Sequence, residues 1–145
     1  MSPAGSRDVT LRILVSALFV AGCGATLPQP AQTAPPADAF VEVPYPPPAA
    51  LVEVVPERPD SSAVWVDGNW AWRGRHYVWQ RGGWVHAPEH AAYASWQAYL
   101  AADGRLLFAP GTWYDAERRA LDAPPPLVVA RTPPNQTTLE TEVAR

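Results

Sequence analysis

Residues 65–70 read WVDGNW, and this stretch decides the fold because its pattern returns as WQRGGW at 79–84 and as FAPGTW at 108–113. Each copy has an aromatic residue, two residues, Gly, one residue and Trp, which indicates an internal repeat. Side chains five positions apart point to opposite faces of a straight strand, because the side-chain period of a strand is two. A bulge or bend at the glycine brings both rings onto one face. We therefore predict structural bulge or bend positions at Gly68, Gly82 and Gly111.

Turn signals lie between the copies. Arg73-Gly74 separates residues 70–72 from 76–79, and Asp103-Gly104 separates residues 99–102 from 106–108. Asp-Gly is typical of a two-residue type I′ hairpin turn, in which both central residues have positive φ. The sequence thus predicts two antiparallel hairpins, related by a rough duplication, with Gly74 and Gly104 in their turns.

The predicted fold class is all-β, a small antiparallel sheet of two duplicated Trp-rich hairpins. No 3.6-residue periodicity persists for more than a turn, which argues against helices. The hairpins are joined through residues 86–94, where Pro88 allows one turn of helix.

All seven Trp of the chain lie in residues 60–117. The larger aliphatic residues there are too few to build a core alone, so most of the Trp are predicted to be core. One layer of antiparallel sheet buries only one of its faces, which predicts that some rings are exposed and stack on sugars or pack on a partner protein. The candidate ligand-binding aromatic residues are Trp65, Trp70, Trp72, Tyr77, Trp79, Trp84 and Trp113.

The N-terminal residues are typical of a bacterial lipoprotein signal. Arg7 and Arg12 precede an apolar run at 13–21, which is shorter than the roughly 20 residues that span a bilayer and fits a signal-peptide h-region. The run leads into VAGC at 20–23, which resembles a lipobox. That resemblance implies cleavage between Gly22 and Cys23 and lipidation of Cys23. The alternatives are a secretory signal cleaved nearby and a short uncleaved anchor.

Lipidation at Cys23 would attach two or more acyl chains, which hold a protein stably on a membrane. Gly24, where Asp commonly signals retention in the inner membrane, favours the outer membrane. The predicted division is a signal peptide at 1–22, the lipidated Cys and a Pro-rich tether at 23–59, the Trp-rich β module at 60–117 and a tail at 118–145.

The tether and the tail are predicted to be disordered, because proline fixes φ and removes a backbone donor. The chain has 18 Pro, which are dense in both segments. Within the tether and the tail we expect short edge strands at 51–55 and at 128–130.

Composition argues against several classes of function. A net charge of −3 argues against a nucleic-acid partner, because phosphate binding needs a basic face. The single Cys excludes an intrachain disulfide and a Cys-based zinc site. HAPEH at 86–90 matches the letters of an inverted zinc-peptidase motif with Glu89 as base, but Pro88 interrupts the helix that the motif needs. We predict that the protein is not an enzyme and binds no cofactor and no metal. A metal site at His86 and His90 is a remote alternative.

The Trp-rich module resembles the YXWGXW-repeat proteins, a family of bacterial envelope proteins of which many carry lipoprotein signals. The resemblance rests on WVDGNWAW at 65–72 and YVW at 77–79, and it spans about fifty residues. Asp67 and Arg81 stand where the family usually has Pro, whereas Pro110-Gly111 keeps the family pattern. The resemblance implies a location in the cell envelope and the architecture of the module, and it implies no biochemical activity.

The predicted function is that of a non-catalytic, lipid-anchored envelope protein, either structural or binding peptidoglycan or another polysaccharide through exposed aromatics. The alternative is an adaptor that docks an envelope protein through its Trp face or through a sheet edge such as residues 51–55.

Overall fold

The computed structural model describes residues 26–133 of the 145-residue chain. These residues are all-β, as the sequence predicts, with one short 3-10 turn at Ala37–Ala39. The strands are β1 (Val41–Glu42), β2 (Val64–Val66), β3 (Asn69–Trp72), β4 (Tyr77–Gln80), β5 (Gly83–Val85), β6 (Ala92–Ala94), β7 (Gln97–Leu100), β8 (Leu106–Ala109), β9 (Thr112–Tyr114), β10 (Ala120–Leu121) and β11 (Val128–Val129). The predicted signal peptide, Gly22 and Cys23, and the chain after residue 133 lie outside the described residues.

Strands β2 to β5 form one long hairpin, which we call the first hairpin. Next to the turn β3 pairs with β4, and further out β2 pairs with β5, where Trp65 lies opposite Trp84. Both pairs keep one register, because residues 67–68 lie opposite residues 81–82 with no extra residue on either strand. Of the bulge or bend predicted at these glycines, the continuous register excludes the bulge, and the strands are simply interrupted there.

Strands β6 to β9 form the second hairpin, which has the same layout. Strand β7 pairs with β8 next to the turn, β6 pairs with β9 further out, and Tyr93 lies opposite Trp113. Residues 95–96 lie opposite residues 110–111 at the interruption, again without a bulge. The sheets are β1-β8-β7, β10-β9-β6, β11-β5-β2 and the pair β3-β4.

Both predicted turns are present, but the turn at Asp103-Gly104 is not the type I′ turn that Asp-Gly predicts. Gly74, with φ of 80°, is the first of two loop residues between Arg73 and His76, whose backbones are hydrogen-bonded at 2.9 Å. This is the pattern of a type II′ turn. Gly104, with φ of 86°, donates its N–H to the Ala101 carbonyl at 2.9 Å, the pattern of a type I turn closed by a left-handed glycine. Only the glycine has positive φ in each turn, because only the glycine lacks the Cβ that opposes it.

The two hairpins pack against each other through aromatic side chains. Phe108 of the second hairpin is fully buried and lies against Tyr77 of the first, with ring centroids 5.3 Å apart. On the other side of the first hairpin, Trp65 and Trp84 pack edge to face at 5.4 Å. Edge-to-face pairs suit the charge distribution of aromatic rings. Aromatic pairs, across strands and between the hairpins, therefore form a large part of the core.

The prediction of a disordered tether is wrong for residues 26–59. Strand β1 of this segment pairs with β8 in the second hairpin, and Val43 is 3% exposed. The Pro28 carbonyl accepts a hydrogen bond from the Trp65 backbone N–H at 2.8 Å. Proline has no N–H, but its carbonyl accepts like any other. Hydrogen-bond donors of the hairpins can therefore hold a Pro-rich segment in an ordered conformation.

The predicted tail also packs on the hairpins in its described part, residues 118–133. Strand β10 pairs with β9, and β11, which falls in the predicted strand at 128–130, pairs with β5. The strand predicted at 51–55 is wrong, because Val54 makes only an isolated bridge to Arg131. The folded unit thus extends on both sides of residues 60–117.

Candidate functional site

The aromatic residues predicted to bind a ligand fall into two groups. Four are buried, with exposed fractions of 1% for Trp65, 9% for Tyr77, 2% for Trp84 and 3% for Trp113. Three are half-buried, namely Trp70, Trp72 and Trp79. No Trp of the hairpins is fully exposed, so the surface that these rings offer to a ligand is limited to the half-buried ones.

Residues 44–59, which we call the strap, contact the aromatic side chains of the first hairpin. Trp70 Nε1 donates to the Ala49 carbonyl at 3.2 Å, and Trp84 Nε1 donates to the Pro56 carbonyl at 2.9 Å. Aromatic grooves recognise Pro-rich segments by similar contacts, since the extended chain presents carbonyls that have no internal partner. These Trp side chains bind the chain's own Pro-rich segment.

Tyr45 fastens the strap near the turn of the first hairpin. Its hydroxyl donates to the Arg75 carbonyl at 2.7 Å, and its carbonyl accepts from the Tyr77 hydroxyl at 3.2 Å. Its ring packs edge to face on Trp72 with centroids 5.4 Å apart. The side chains at this end of the hairpin are therefore also engaged by the strap.

The glycines of the first hairpin make room for the carboxylate of Glu53 in the strap. Glu53 Oε1 accepts from Trp79 Nε1 at 2.9 Å, and Oε2 accepts from the Gly82 N–H at 2.9 Å. A Cβ at Gly68 would overlap both this carboxylate and the Trp79 ring, and a Cβ at Gly82 would lie 2.7 Å from the Gly68 nitrogen. Neither glycine has positive φ. The repeat needs glycine here for close approach and not for an unusual backbone conformation.

The second hairpin fills the corresponding space differently. A Cβ at Gly111 would overlap the hydroxyl of Tyr93. Phe108 occupies the place in the repeat that Trp79 has in the first hairpin, and it carries no N–H donor. The carboxylate contact is thus a feature of the first hairpin.

A cleft of about 390 Å³ lies between the two hairpins at the level of their interruptions. Its apolar lining includes Val66, Val85, Trp113 and Leu121. Its polar lining consists of Asp67, Asn69, Gln80, Arg81, Tyr93, Thr112 and Asp122. Small-molecule sites have volumes of roughly 300–1,000 Å³ and a similar mixture of apolar walls and a few polar groups. This cleft is the candidate functional site.

Asn69 and Tyr93 are the most buried polar side chains of the cleft. Asn69 is 7% exposed, and its Oδ1 has no hydrogen-bond partner within residues 26–133. Burial, with a smaller contribution from the negative charge of Asp67, raises the pKa of Tyr93 to about 12. The Tyr93 hydroxyl therefore stays protonated at neutral pH and can donate a hydrogen bond.

The charged side chains at the cleft are two carboxylates and one guanidinium. Asp67 accepts a hydrogen bond from Trp65 Nε1 at 2.7 Å through Oδ1. Arg81 and Asp122 are exposed, and in the described part of the chain neither forms a salt bridge. With two negative charges against one positive charge, the cleft disfavours an anionic ligand.

The sequence 86–90, which matches the letters of a zinc-peptidase motif, forms a turn and not a helix. His86 Nε2 lies 2.9 Å from Asp60 Oδ2, and hydrogen bonds from Ser62 and then from His86 hold the pKa of Asp60 well below its usual range. His90 has a positive φ of 56° in this turn. Within residues 26–133 no three His, Cys, Asp or Glu side chains come together as a metal site.

Of the residues that line the cleft only Gly111 and Trp113 are among the predicted site residues, so Asn69 was missed, as was Glu53 of the strap. Asn69 stands between Gly68 and Trp70, where the repeat tolerates any residue, so its burial gives no signal in the sequence. Glu53 is the one acid within the apolar run 51–55, and an unpaired acid in such a run is a weak signal for a buried contact.

In comparisons with known proteins, no family model, no curated protein and no solved structure matched the chain. The resemblance to the YXWGXW repeat therefore rests on the sequence motif alone. Among residues 26–133, the structure has no helix that is long and apolar enough to span a bilayer.

Proposed function

We propose that this chain is a non-catalytic, lipid-anchored protein of the bacterial cell envelope whose β module binds a glycan. The ligand is a strand of peptidoglycan or another envelope polysaccharide, and it lies in the cleft between the two hairpins. The observation that carries the binding proposal is the mixed lining of this cleft, with a buried amide oxygen that lacks a partner among residues 26–133. The anchor is proposed from the lipobox-like residues 20–23.

Sugars suit this lining for two reasons. Their hydroxyl groups both donate and accept, so they can pair with the carboxylate of Asp67, the amide of Gln80 and the guanidinium of Arg81. The C–H groups of a sugar ring form apolar patches, which can pack on the wall that contains Val66 and Trp113.

Glycan binding is tested with full-length protein purified in detergent. We measure its co-sedimentation with purified peptidoglycan sacculi and its affinity for chitotriose by titration. Gln80→Ala and Asp122→Ala remove polar groups of the cleft, and Gln97→Ala removes an exposed amide from strand β7, outside the cleft, as the control. We expect the two cleft variants to bind weakly and the control to bind normally. Loss of binding in all three, or in none, would contradict a site in the cleft.

The anchor is tested separately in a Gram-negative host. Wild-type protein is expected in the outer-membrane fraction, with the mass of a cleaved chain that carries acyl groups on Cys23. Cys23→Ser is expected to leave the membrane fraction or to keep its N-terminal segment. Wild-type protein that is cleaved but carries no lipid would contradict the anchor and leave the glycan proposal standing.

An adaptor function is the second candidate, and the outer strand β11 is the observation that favours it. Leu127 is 43% exposed and Val129 is 45% exposed beside an open groove that Arg81 and Thr132 also line. A partner protein could add a strand at this edge. A photo-crosslinking residue at position 129 would then capture an envelope protein in cells, whereas one at the exposed position 73 would not.

A further inference from the structure

We infer that Asn69 determines the specificity of the cleft by accepting a hydrogen bond from a hydroxyl group of an uncharged sugar. The inference rests on the proposed function and narrows its ligand class from any envelope glycan to a neutral glycan. It assigns Asn69 a binding role that neither the repeat motif nor the hairpin pairing requires.

The Asn69 side chain is buried with an unused acceptor. It is 7% exposed, and Oδ1 has no donor within reach among residues 26–133. A buried oxygen left without a hydrogen bond costs about 1–3 kcal/mol, and native proteins contain few such groups. A ligand hydroxyl would supply the missing donor.

Asn69 lies in the wall of the cleft, but its Oδ1 is buried there and must turn before it can face a ligand. Asn69 begins β3 at the interruption of the first hairpin and lies in the wall of the cleft, with its amide nitrogen close to Gly111 of the second hairpin. The last torsion of an Asn side chain has a broad energy minimum. A rotation of the amide group can therefore turn Oδ1 toward a ligand while the backbone of β3 stays paired with β4.

The charges around the cleft favour a neutral ligand. Asp67 and Asp122 place two carboxylates around it, against the single guanidinium of Arg81. Tyr93 adds a neutral hydroxyl that donates or accepts. A sugar unit with a carboxylate or phosphate group would meet net repulsion inside the cleft, whereas a neutral unit of a glycan strand finds acceptors for its hydroxyls.

The test is a titration of ¹⁵N-labelled full-length protein in detergent with chitotriose, followed by NMR. The side-chain NH₂ signals of Asn69 are expected to shift with the same affinity as the backbone signals of the cleft. Asn69→Leu is expected to weaken binding about tenfold or more, because one buried hydrogen bond is lost. Gln97→Leu is the matched control, since Gln97 begins β7 as Asn69 begins β3 but is exposed. Trigalacturonic acid is expected to bind at least about tenfold more weakly than chitotriose.

Thermal unfolding separates a binding role from a structural one. Asn69→Leu removes an unpartnered buried oxygen, so its Tm is expected to equal or exceed that of the wild type. If chitotriose binds Asn69→Leu as tightly as the wild type, or if the Asn69 NH₂ signals do not move while other cleft signals do, the inference is overturned and the proposed function stands. If trigalacturonic acid binds as tightly as chitotriose, the neutral class is overturned. If the wild type binds neither sugar, the proposed function fails and the inference falls with it.

Discussion

Gly68→Ala is expected to destabilise the protein by about 3 kcal/mol, because the space over this glycine is already filled from two sides. The added methyl group would overlap the carboxylate of Glu53 and the ring of Trp79. Overpacking of this kind costs about 1–3 kcal/mol. Moving the carboxylate also weakens its hydrogen bonds from Trp79 Nε1 and the Gly82 N–H, each worth about 1.5–3 kcal/mol when it is fully lost.

The assay is urea unfolding of the full-length protein followed by Trp fluorescence. Small domains have total stabilities of about 5–15 kcal/mol, so a loss of about 3 kcal/mol shifts the midpoint clearly. Gly104→Ala is the matched control, because Gly104 has φ of 86° but nothing within 4 Å of an added Cβ. It is expected to cost only about 1–2 kcal/mol, from the left-handed backbone alone.

A double-mutant cycle identifies the cause of the effect. Glu53→Ala removes one of the two obstacles, so Glu53→Ala and Gly68→Ala together are expected to cost about 1 kcal/mol less than the sum of the two single changes. If Gly68→Ala costs no more than Gly104→Ala, or if the effects of Glu53→Ala and Gly68→Ala are additive, the contact with Glu53 does not explain the glycine.

Three further predictions concern the core and two titrating groups. Trp65→Ala is expected to lower the free energy of unfolding in urea by about 3–5 kcal/mol, because the ring is 1% exposed. Folding raises the pKa of Tyr93 from 10.0 to about 12, so the stability that the neutral Tyr93 contributes is complete below pH 10 and is lost as the pH rises through 12. In urea unfolding at a series of pH values, Tyr93→Phe should therefore lose less stability than the wild type between pH 10 and 12. Folding lowers the pKa of Asp60, so stability is present above its ordinary value of 3.8 and falls as the pH drops below it, and acid titrations of Asp60→Asn should show a smaller fall.

Each of these predictions has a contrary result. A loss no larger for Trp65→Ala than for Trp72→Ala, whose ring is half-buried, would mean that the pair with Trp84 adds little to the core. An alkaline profile that is the same for Tyr93→Phe and the wild type would mean that Tyr93 ionises freely. An acid profile unchanged in Asp60→Asn would mean that the contacts of Asp60 with Ser62 and His86 do not persist in solution.

The repeat spacing and the turn residues are sufficient to locate both hairpins in the sequence. Those features are local, because a glycine that adopts positive φ and the strands next to it are close in sequence. The predicted turn type is wrong because type I′, type II′ and type I with a left-handed glycine all use Gly, and the choice depends on how the flanking strands pair. The single register through each interruption likewise depends on contacts between strands.

The strap shows why the prediction of disorder is wrong for the described Pro-rich segments. The density of Pro in residues 44–59 shows only that this segment cannot form a helix or a central strand by itself. Whether it is ordered depends on donors that come from elsewhere in the chain, such as the indole N–H of Trp70 and of Trp84. Composition alone therefore does not show whether the segment is ordered, because its order depends on these hydrogen-bond donors.

The sequence by itself determined the β class and the positions of the two hairpins, because both depend on neighbouring residues. Tertiary structure alone decided which aromatic rings are buried, how the strap covers the first hairpin and where the cleft lies. The physical reason is that the burial and the hydrogen bonds of a side chain depend on which distant parts of the chain pack against it. Asn69 and Tyr93, which lie far apart in the sequence, line one cleft only because the two hairpins pack against each other.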